Sequence, residues 1–433
     1  MILSEQLKAS GQNQVLNCSN QFERAARWGT PSSAYIHIPF CRRRCYYCDF
    51  PVSVVGDRAR GSTSGTIEQY VEVLCQEIKT TPDPICSLET VFFGGGTPSL
   101  LSVEQVGRIL ETLEKRFRIA ATAEISLEID PGTFSKEQLQ GYRNAGVNRV
   151  SLGVQAFQDE LLAICGRSHQ LNDIFAAVEF IRKVGVPDFS LDLISGLPHQ
   201  NLEQWQASLE AAVRLTPTHI SCYDLTIEPV TPFGRQYAPG QKPLPTDDTA
   251  AQMYRLAQQI LTTRGYEHYE ISNYALPGHQ CRHNRVYWEN RPYYGFGMGA
   301  ASYVGGYRFT RPRTRREYYA WVQQLIEAGG ILDSPELEET DVLLETLMLG
   351  LRLAEGLSLY TLKEQFGEKT LEKIRKRVQP YYQQGWVEVL ETTNGEAIAL
   401  PAIEKLPMTG QLRLTDPEGF LFSNTVLADL FRH

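Results

Sequence analysis

Residues Tyr35–Phe50 read YIHIPFCRRRCYYCDF. With Ala34 the stretch opens on a β-rich run, AYIHI over 34–38, which predicts a short strand. Directly behind it, Cys41, Cys45 and Cys48 crowd into eight residues with the spacing C-x3-C-x2-C. Thiolates are soft ligands that suit iron–sulfur clusters and zinc. Three of them on a cubane cluster leave one iron without a protein ligand, open to a further molecule. Two other readings stand beside this one: a structural zinc site completed by a remote His or Cys, and chance. Zinc sites normally use paired C-x2-C knuckles, so the spacing favours the cluster.

Outward from this loop the chain keeps a rhythm. β-rich runs at 34–38, 90–93, 124–129, 148–153, 189–194 and 219–225 alternate with amphipathic stretches such as Ile67–Lys79, Val103–Phe117, Lys136–Ala145, Ile174–Val184 and Leu202–Leu215. Alternating strands and helices predict an α/β fold with a parallel sheet, and six repeats can curl into a partial (β/α)6 barrel. Ligands of such folds sit at the C-terminal strand ends. Each polar or glycine-rich oddity falls just there: CRRRCYYC, GGGTPS, DPGT, GVQAF, SGLPHQ and TIEPVTPFG follow the six runs in turn. All six loops are expected to face one cavity.

Four parts follow from this reading. Residues 1–30 form a polar N-terminal extension with one short helix near Phe22–Trp28, and 31–270 the barrel. Residues 271–315 form an aromatic and glycine-rich connecting segment. Residues 316–433 form a small α+β domain of winged-helix-like order, with helices near Asp341–Leu351, Ser358–Gln365 and Leu371–Gln383 and strands near Val387–Leu390 and Ala397–Leu400.

Composition narrows the classes. No apolar run approaches the roughly 20 residues of a membrane span, so the protein is not integral. The N-terminus lacks a basic start followed by an apolar stretch, which points to the cytoplasm. The net charge of −8 argues against a nucleic-acid surface. Arg308, Arg311, Arg313, Arg315 and Arg316 are a local exception. They read as a solvated basic face, or as a patch meeting an anionic ligand or a membrane surface. Nine cysteines without an export signal do not suggest disulfides. Cys18, Cys75, Cys86, Cys165, Cys222 and Cys281 are scattered and read as small packing residues.

The 35–50 segment resembles the signature of radical S-adenosylmethionine (SAM) proteins. Within them it is similar to the branch of oxygen-independent coproporphyrinogen III dehydrogenases and HemW-type haem chaperones, over nearly the whole chain from Tyr35. The resemblance implies a [4Fe-4S] cluster on the three cysteines, SAM chelated on the open iron, and cleavage of SAM by one electron from a flavodoxin- or ferredoxin-like donor. It implies SAM contacts at Tyr35, Tyr47, Gly94, Gly95, Gly96, Thr97 and Glu128. Gln155, Arg167 and Asp192 match cavity positions that in some relatives surround a second SAM.

Two departures bear on the branch. Decarboxylating relatives carry a further cysteine two residues after the third, where this chain has Phe50. Their long N-terminal segment has no counterpart in residues 1–30. His283, Asn284, Tyr287 and Trp288 also form H-N-x-x-Y-W, which resembles the motif tied to haem binding in HemW-type proteins. Imidazole is an axial ligand for haem iron, and aromatic rings stack on porphyrins. His268 and His279 are nearby second candidates. The resemblance therefore implies a haem chaperone that delivers haem to a recipient haemoprotein, with no residue assigned to catalysis. The alternative is a coproporphyrinogen III dehydrogenase that decarboxylates two propionates.

Overall fold

The computed structural model describes residues 29–57, 61–82, 86–330, 339–393, 396–399 and 409–431. The helix expected near Phe22–Trp28 and Cys18 lie outside them. Six strands stand side by side in chain order and pair in parallel: β1 (Ser33–Ile38), β2 (Leu88–Gly95), β3 (Ile119–Ile129), β4 (Arg149–Gln155), β5 (Asp188–Ser195) and β6 (His219–Asp224). The two-residue period of each strand sorts its side chains. In β1, Ala34, Ile36 and Ile38 enter the main apolar core, while Tyr35 and His37 face the lumen and bond each other.

The connecting helices carry matching stripes. Helix α1 (Gly65–Thr80) is capped by Ser64, which accepts from the Ile67 N–H. Helix α2 (Val103–Phe117) starts on a reciprocal capping box between Ser102 and Gln105, which satisfies two otherwise orphaned backbone donors. Its Val106, Ile109, Leu110, Leu113 and Phe117 are buried at helical spacing. Each such apolar side chain contributes about 1.5–3 kcal/mol on burial.

The sheet has nine strands where six were expected. The chain beyond the sixth repeat supplies the rest: β7 (Glu267–Glu270) at the end of the expected barrel, and β8 (Asn273–Ala275) and β9 (Tyr294–Phe296) in the aromatic segment. Strand β9 pairs in parallel with β1, setting Tyr35 opposite Gly295, and β8 pairs antiparallel with β6. An open barrel leaves unpaired backbone on its two edge strands, and these short strands cover both. Between β8 and β9 the chain crosses the N-terminal strand ends. Leu276 N–H donates to the Thr218 carbonyl and Arg149 donates to the His279 carbonyl. There the short helix α3 (Arg282–Trp288) begins, and its first two N–H groups donate to the Glu124 carboxylate. The lumen is thus floored by the segment that contains H-N-x-x-Y-W.

The C-terminal part has its own core, with Leu371, Val378, Val389, Leu412 and Phe420 among its buried residues. Helices Glu339–Gly350, Leu359–Phe366 and Glu368–Gln383 precede a sheet whose strand Val387–Thr393 pairs antiparallel with Glu396–Ala399 and Gln411–Leu414. Arg255 and His268 of the barrel reach across to Glu418 and Asp416. No helix among the described residues is long and apolar enough to cross a membrane.

The arginine-rich segment divides: Arg313 and Arg316 are exposed, as a solvated face requires, while Arg308 and Arg311 turn inward to carboxylates. Arg308 pairs with Glu345 at 2.8 Å, and Arg313 donates to the Asp49 carbonyl. Arg311 is 3% exposed and pairs at 2.8 Å with Glu77, which is 0% exposed. Glu77 also accepts from the Gly297 N–H and the Tyr318 hydroxyl. This network clips α1 to the chain beyond β9. Removing one partner of a buried pair leaves an uncompensated charge. Arg311→Ala is therefore expected to lower the unfolding free energy by about 3–5 kcal/mol, measured by urea denaturation against wild type.

Candidate functional site at the strand ends

Strand β1 ends on Ile38, and the cysteine loop turns immediately onto the glycine turn after β2. The Gly96 N–H donates to the Ile38 carbonyl at 2.8 Å, and the Thr97 N–H to the Phe40 carbonyl at 2.7 Å. Side chains are excluded here. Gly95 has φ +111°, and a Cβ on it would stand 2.5 Å from the His37 ring. A Cβ on Gly96 would stand 2.7 Å from the Phe40 oxygen and 3.0 Å from Cys41 Sγ. His37 holds the far end of the loop. Its Nε2 contacts the Pro51 carbonyl at 3.1 Å and its Nδ1 the Tyr35 hydroxyl at 3.0 Å. Burial pushes its pKa down to about 4, so the ring is neutral and can donate at Nε2 while accepting at Nδ1. The loop's centre is tied on both sides: the Tyr46 N–H donates to the Cys165 carbonyl and the Phe233 N–H to the Tyr46 carbonyl.

A cavity of about 500 Å³ opens above this loop. Each of the six strands contributes to it, directly or through the loop that follows, with residues such as Cys45, Gly96, Asp130, Gln155, Asp192 and Tyr223. The fifth loop, SGLPHQ, does not line it; its His199 N–H turns away to the Pro243 carbonyl, and β5 contributes Asp192 and Ile194 instead. Of the residues singled out by sequence, Tyr47, Gly95, Gly96, Thr97, Glu128, Gln155, Arg167 and Asp192 all line this one cavity with the three cysteines. Tyr35 does not. It lies below, in the lumen, stacked on Phe92.

The wall is strongly charged. Arg167 donates to the Asp130 carboxylate, to the Gly153 carbonyl at 2.9 Å and to Cys45 Sγ at 3.4 Å. Asp130 also accepts from the Thr97 hydroxyl at 3.0 Å. Burial, and then the charge of Asp192, raise the Glu128 pKa to about 8, against the opposing bond from the Gly95 N–H. Asp192 is likewise raised by burial, with the hydroxyls of Ser151 and Ser190 bonded to it. Gln155 adopts φ +68°, a conformation rare for a side-chain-bearing residue and more frequent at ligand sites.

The donor set fits an iron–sulfur cubane. All three thiols are free and half-buried. Burial pushes Cys41 up to about 12 and Cys48 up to about 11, so a cation is needed to hold them as thiolates. Among the described residues no three His, Cys, Asp or Glu side chains gather closely enough for a single metal ion. A cubane makes a different demand, because each thiolate binds its own iron. Arg167 beside Cys45 supplies positive charge where thiolates collect.

H-N-x-x-Y-W lies at the other end of the barrel. His283 is 0% exposed and packs against β2. Its Nδ1 meets the Thr90 hydroxyl at 2.7 Å and its Nε2 the Tyr287 hydroxyl at 2.9 Å. Neither ring nitrogen presents an open lone pair to an incoming iron. Asn284 and Trp288 are half-buried on the same helix. His268 stacks on Tyr274 and bonds Asp416, and His279 bonds Asp188. Of the scattered cysteines, Cys75, Cys165, Cys222 and Cys281 are buried, and Cys86 is exposed. Sequence reasoning missed Asp130 and His37. Asp130 opens the DPGT loop, so the strand-end rule could have flagged it; His37 carries no local signal.

Comparison with known proteins places the chain among relatives. A model described as the radical SAM superfamily matches residues 35–212, and one for the HemN C-terminal domain matches 337–392. A heme chaperone HemW from Synechocystis is 47% identical over 401 residues, covering 93% of this chain and 96% of that one. Another from Bacillus subtilis is 36% identical, covering 78% and 86%. Among solved structures, coproporphyrinogen III oxidase (HemN) from Escherichia coli superposes with a TM-score of 0.74 at 24% identity, over 94% of this chain and 92% of that one. That likeness concerns the fold.

The raised Glu128 pKa gives a pH dependence with a definite sign. Between pH 4.5 and about 8 the native carboxyl keeps a proton that the unfolded chain has lost. Stability therefore falls as pH rises through that window. Glu128→Gln, which cannot ionise, is expected to flatten that slope, measured as unfolding free energies of both proteins from pH 5 to pH 8.5.

Proposed function

The chain belongs to the HemW heme chaperone family of the radical SAM superfamily, and on that premise we propose that it binds haem and passes it to a recipient haemoprotein, using a [4Fe-4S] cluster and SAM. The observation that carries this reading is the single cavity that joins Cys41, Cys45 and Cys48 to Gly95, Gly96, Thr97 and Glu128.

Cys41, Cys45 and Cys48 would hold the cluster, which would supply one-electron reduction of SAM, with a flavodoxin- or ferredoxin-like protein as the donor. The chain's residues do the remaining work. Gly95 and Gly96 keep the wall beside Cys41 free of side chains, so SAM can lie against backbone. Glu128 accepts hydrogen bonds from its cationic amino group, which also stabilises the ionised carboxylate. Tyr47, Gln155 and Asp192 complete the wall, and the bond of Arg167 to Asp130 fixes the side facing Cys45.

Haem is a planar apolar macrocycle with two anionic propionates. The cavity mouth offers both kinds of contact, with Phe50 56% exposed and Arg43 and Arg44 exposed beside it. Phe50 also replaces the additional cysteine of the decarboxylating relatives, which favours carriage of haem over decarboxylation of its precursor.

The test uses full-length protein reconstituted anaerobically with iron and sulfide, then given SAM and reductant. Stable capture of haem, with no protoporphyrinogen formed from coproporphyrinogen III, is the expected result. Decarboxylation above background overturns the chaperone reading, and zinc without iron or sulfide overturns the cluster. Cys41→Ala is expected to lose the cluster's visible absorbance and keep haem binding, read by absorption titration.

A further inference from the structure

Two features of the lumen lack a role in the function above: the buried H-N-x-x-Y-W helix and a column of rings between it and the cysteine loop. The column starts at His283, whose ring stacks on Phe92 at 5.2 Å between centroids and 23° between planes. Phe92 stacks in turn on Tyr35 at 6.3 Å and 24°. The Tyr35 hydroxyl bonds His37 Nδ1, and His37 Nε2 bonds the carbonyl of Pro51, three residues beyond Cys48. The rings of Phe92 and Tyr35 and the Glu128 carboxylate converge on Gly94, where a Cβ would stand 3.0–3.1 Å from each. Everything that could shift along this path therefore shifts against the cysteine loop or Glu128.

The lower end is fixed more firmly than packing requires. Glu124 accepts from the N–H groups of both Arg282 and His283, at 3.1 and 3.0 Å. Two hydroxyls hold the His283 ring, and burial keeps it neutral by pushing its pKa down to about 3. Tyr287 is braced edge-on by Tyr293, just ahead of the strand that pairs with β1. A neutral imidazole with both nitrogens engaged, in a dry site, is built to hold orientation.

We propose that His283 is a positioning residue for the cluster and SAM cavity, acting through Phe92, Tyr35 and His37, and that it is not the axial ligand of haem. The proposal deepens the function above and rests on it in taking the cavity as the cluster and SAM site. It separates two duties along the barrel axis. Haem meets the mouth, at Phe50, while the floor motif sets the geometry of the cysteine loop from beneath. Stacked rings suit this task, because each has few rotamers to lose and a preferred offset to its neighbour.

The test compares wild type with His283→Ala and with Phe92→Leu, which breaks the ring stack and leaves the motif whole. Three quantities are read: amide hydrogen exchange in the cluster-free full chain, SAM affinity of the reconstituted protein, and haem titration with its absorption spectrum. Expected for His283→Ala are amides of residues 37–55 exchanging about tenfold faster while other barrel strands keep their protection. SAM binding should weaken about five- to tenfold, with haem stoichiometry and spectrum as in wild type. Phe92→Leu is expected to move the first two readouts in the same direction and by less. Lost haem or an altered haem spectrum in His283→Ala, with unchanged exchange and SAM affinity, overturns the proposal. If His283→Ala does not fold, unchanged exchange over 37–55 in Phe92→Leu overturns it. If wild type captures haem and binds no SAM, the SAM reading fails, while hydrogen exchange still decides whether the column positions the loop.

Discussion

The whole site depends on one close approach, the seating of the Cys41 loop on the glycine turn that ends β2. The Gly96 N–H reaches the Ile38 carbonyl, and Cys41 Sγ lies where a Cβ on Gly96 would need room. Two parallel neighbours, β1 and β2, are joined by that contact at the edge where a barrel presents its ligands. With the turn in place, the first cysteine is fixed relative to Glu128, because the neighbouring Gly95 N–H donates to that carboxylate. A thiolate, a turn and an acid on three successive strands thus share one reference point.

Charge is then placed around that point at low dielectric cost to the fold. Arg167 is matched by Asp130, and Asp130 by the Thr97 hydroxyl, so the cation next to Cys45 is not left alone. Burial raises both Glu128 and Asp192, and the charge of Asp192 raises Glu128 further. Acids whose ionisation burial disfavours are suited to a ligand that brings its own positive charge.

The return segment between β8 and β9 answers a different problem. A six-stranded open barrel has two raw edges and an open floor, and the barrel's own repeats supply nothing for either. One stretch closes all three: β8 covers β6, β9 covers β1, and α3 lies under β2 and β3 with Glu124 at its N-terminus. The buried Glu77–Arg311 pair then locks the chain beyond β9 against α1.

Much of this architecture follows local rules legible along the chain. The two-residue and 3.6-residue periods set six strands and their helices, and chain order set the edge on which the loops meet, so the cysteines, Gly95–Thr97, Glu128, Gln155, Arg167 and Asp192 could be assigned to one cavity from pattern and resemblance. The pairing of the three-residue strands needed the folded chain, β8 against His219–Ser221 and β9 against Ala34–Ile36 at the far end of the barrel, because a run as short as Tyr294–Phe296 carries no period of its own. The folded chain also decided the surroundings of His283 and Arg311. A histidine among aromatics reads the same in sequence whether its nitrogens are free or bonded, and an arginine reads the same whether it meets water or Glu77. Burial and partner are properties of contacts made far along the chain, and in both cases those contacts placed the residue inside.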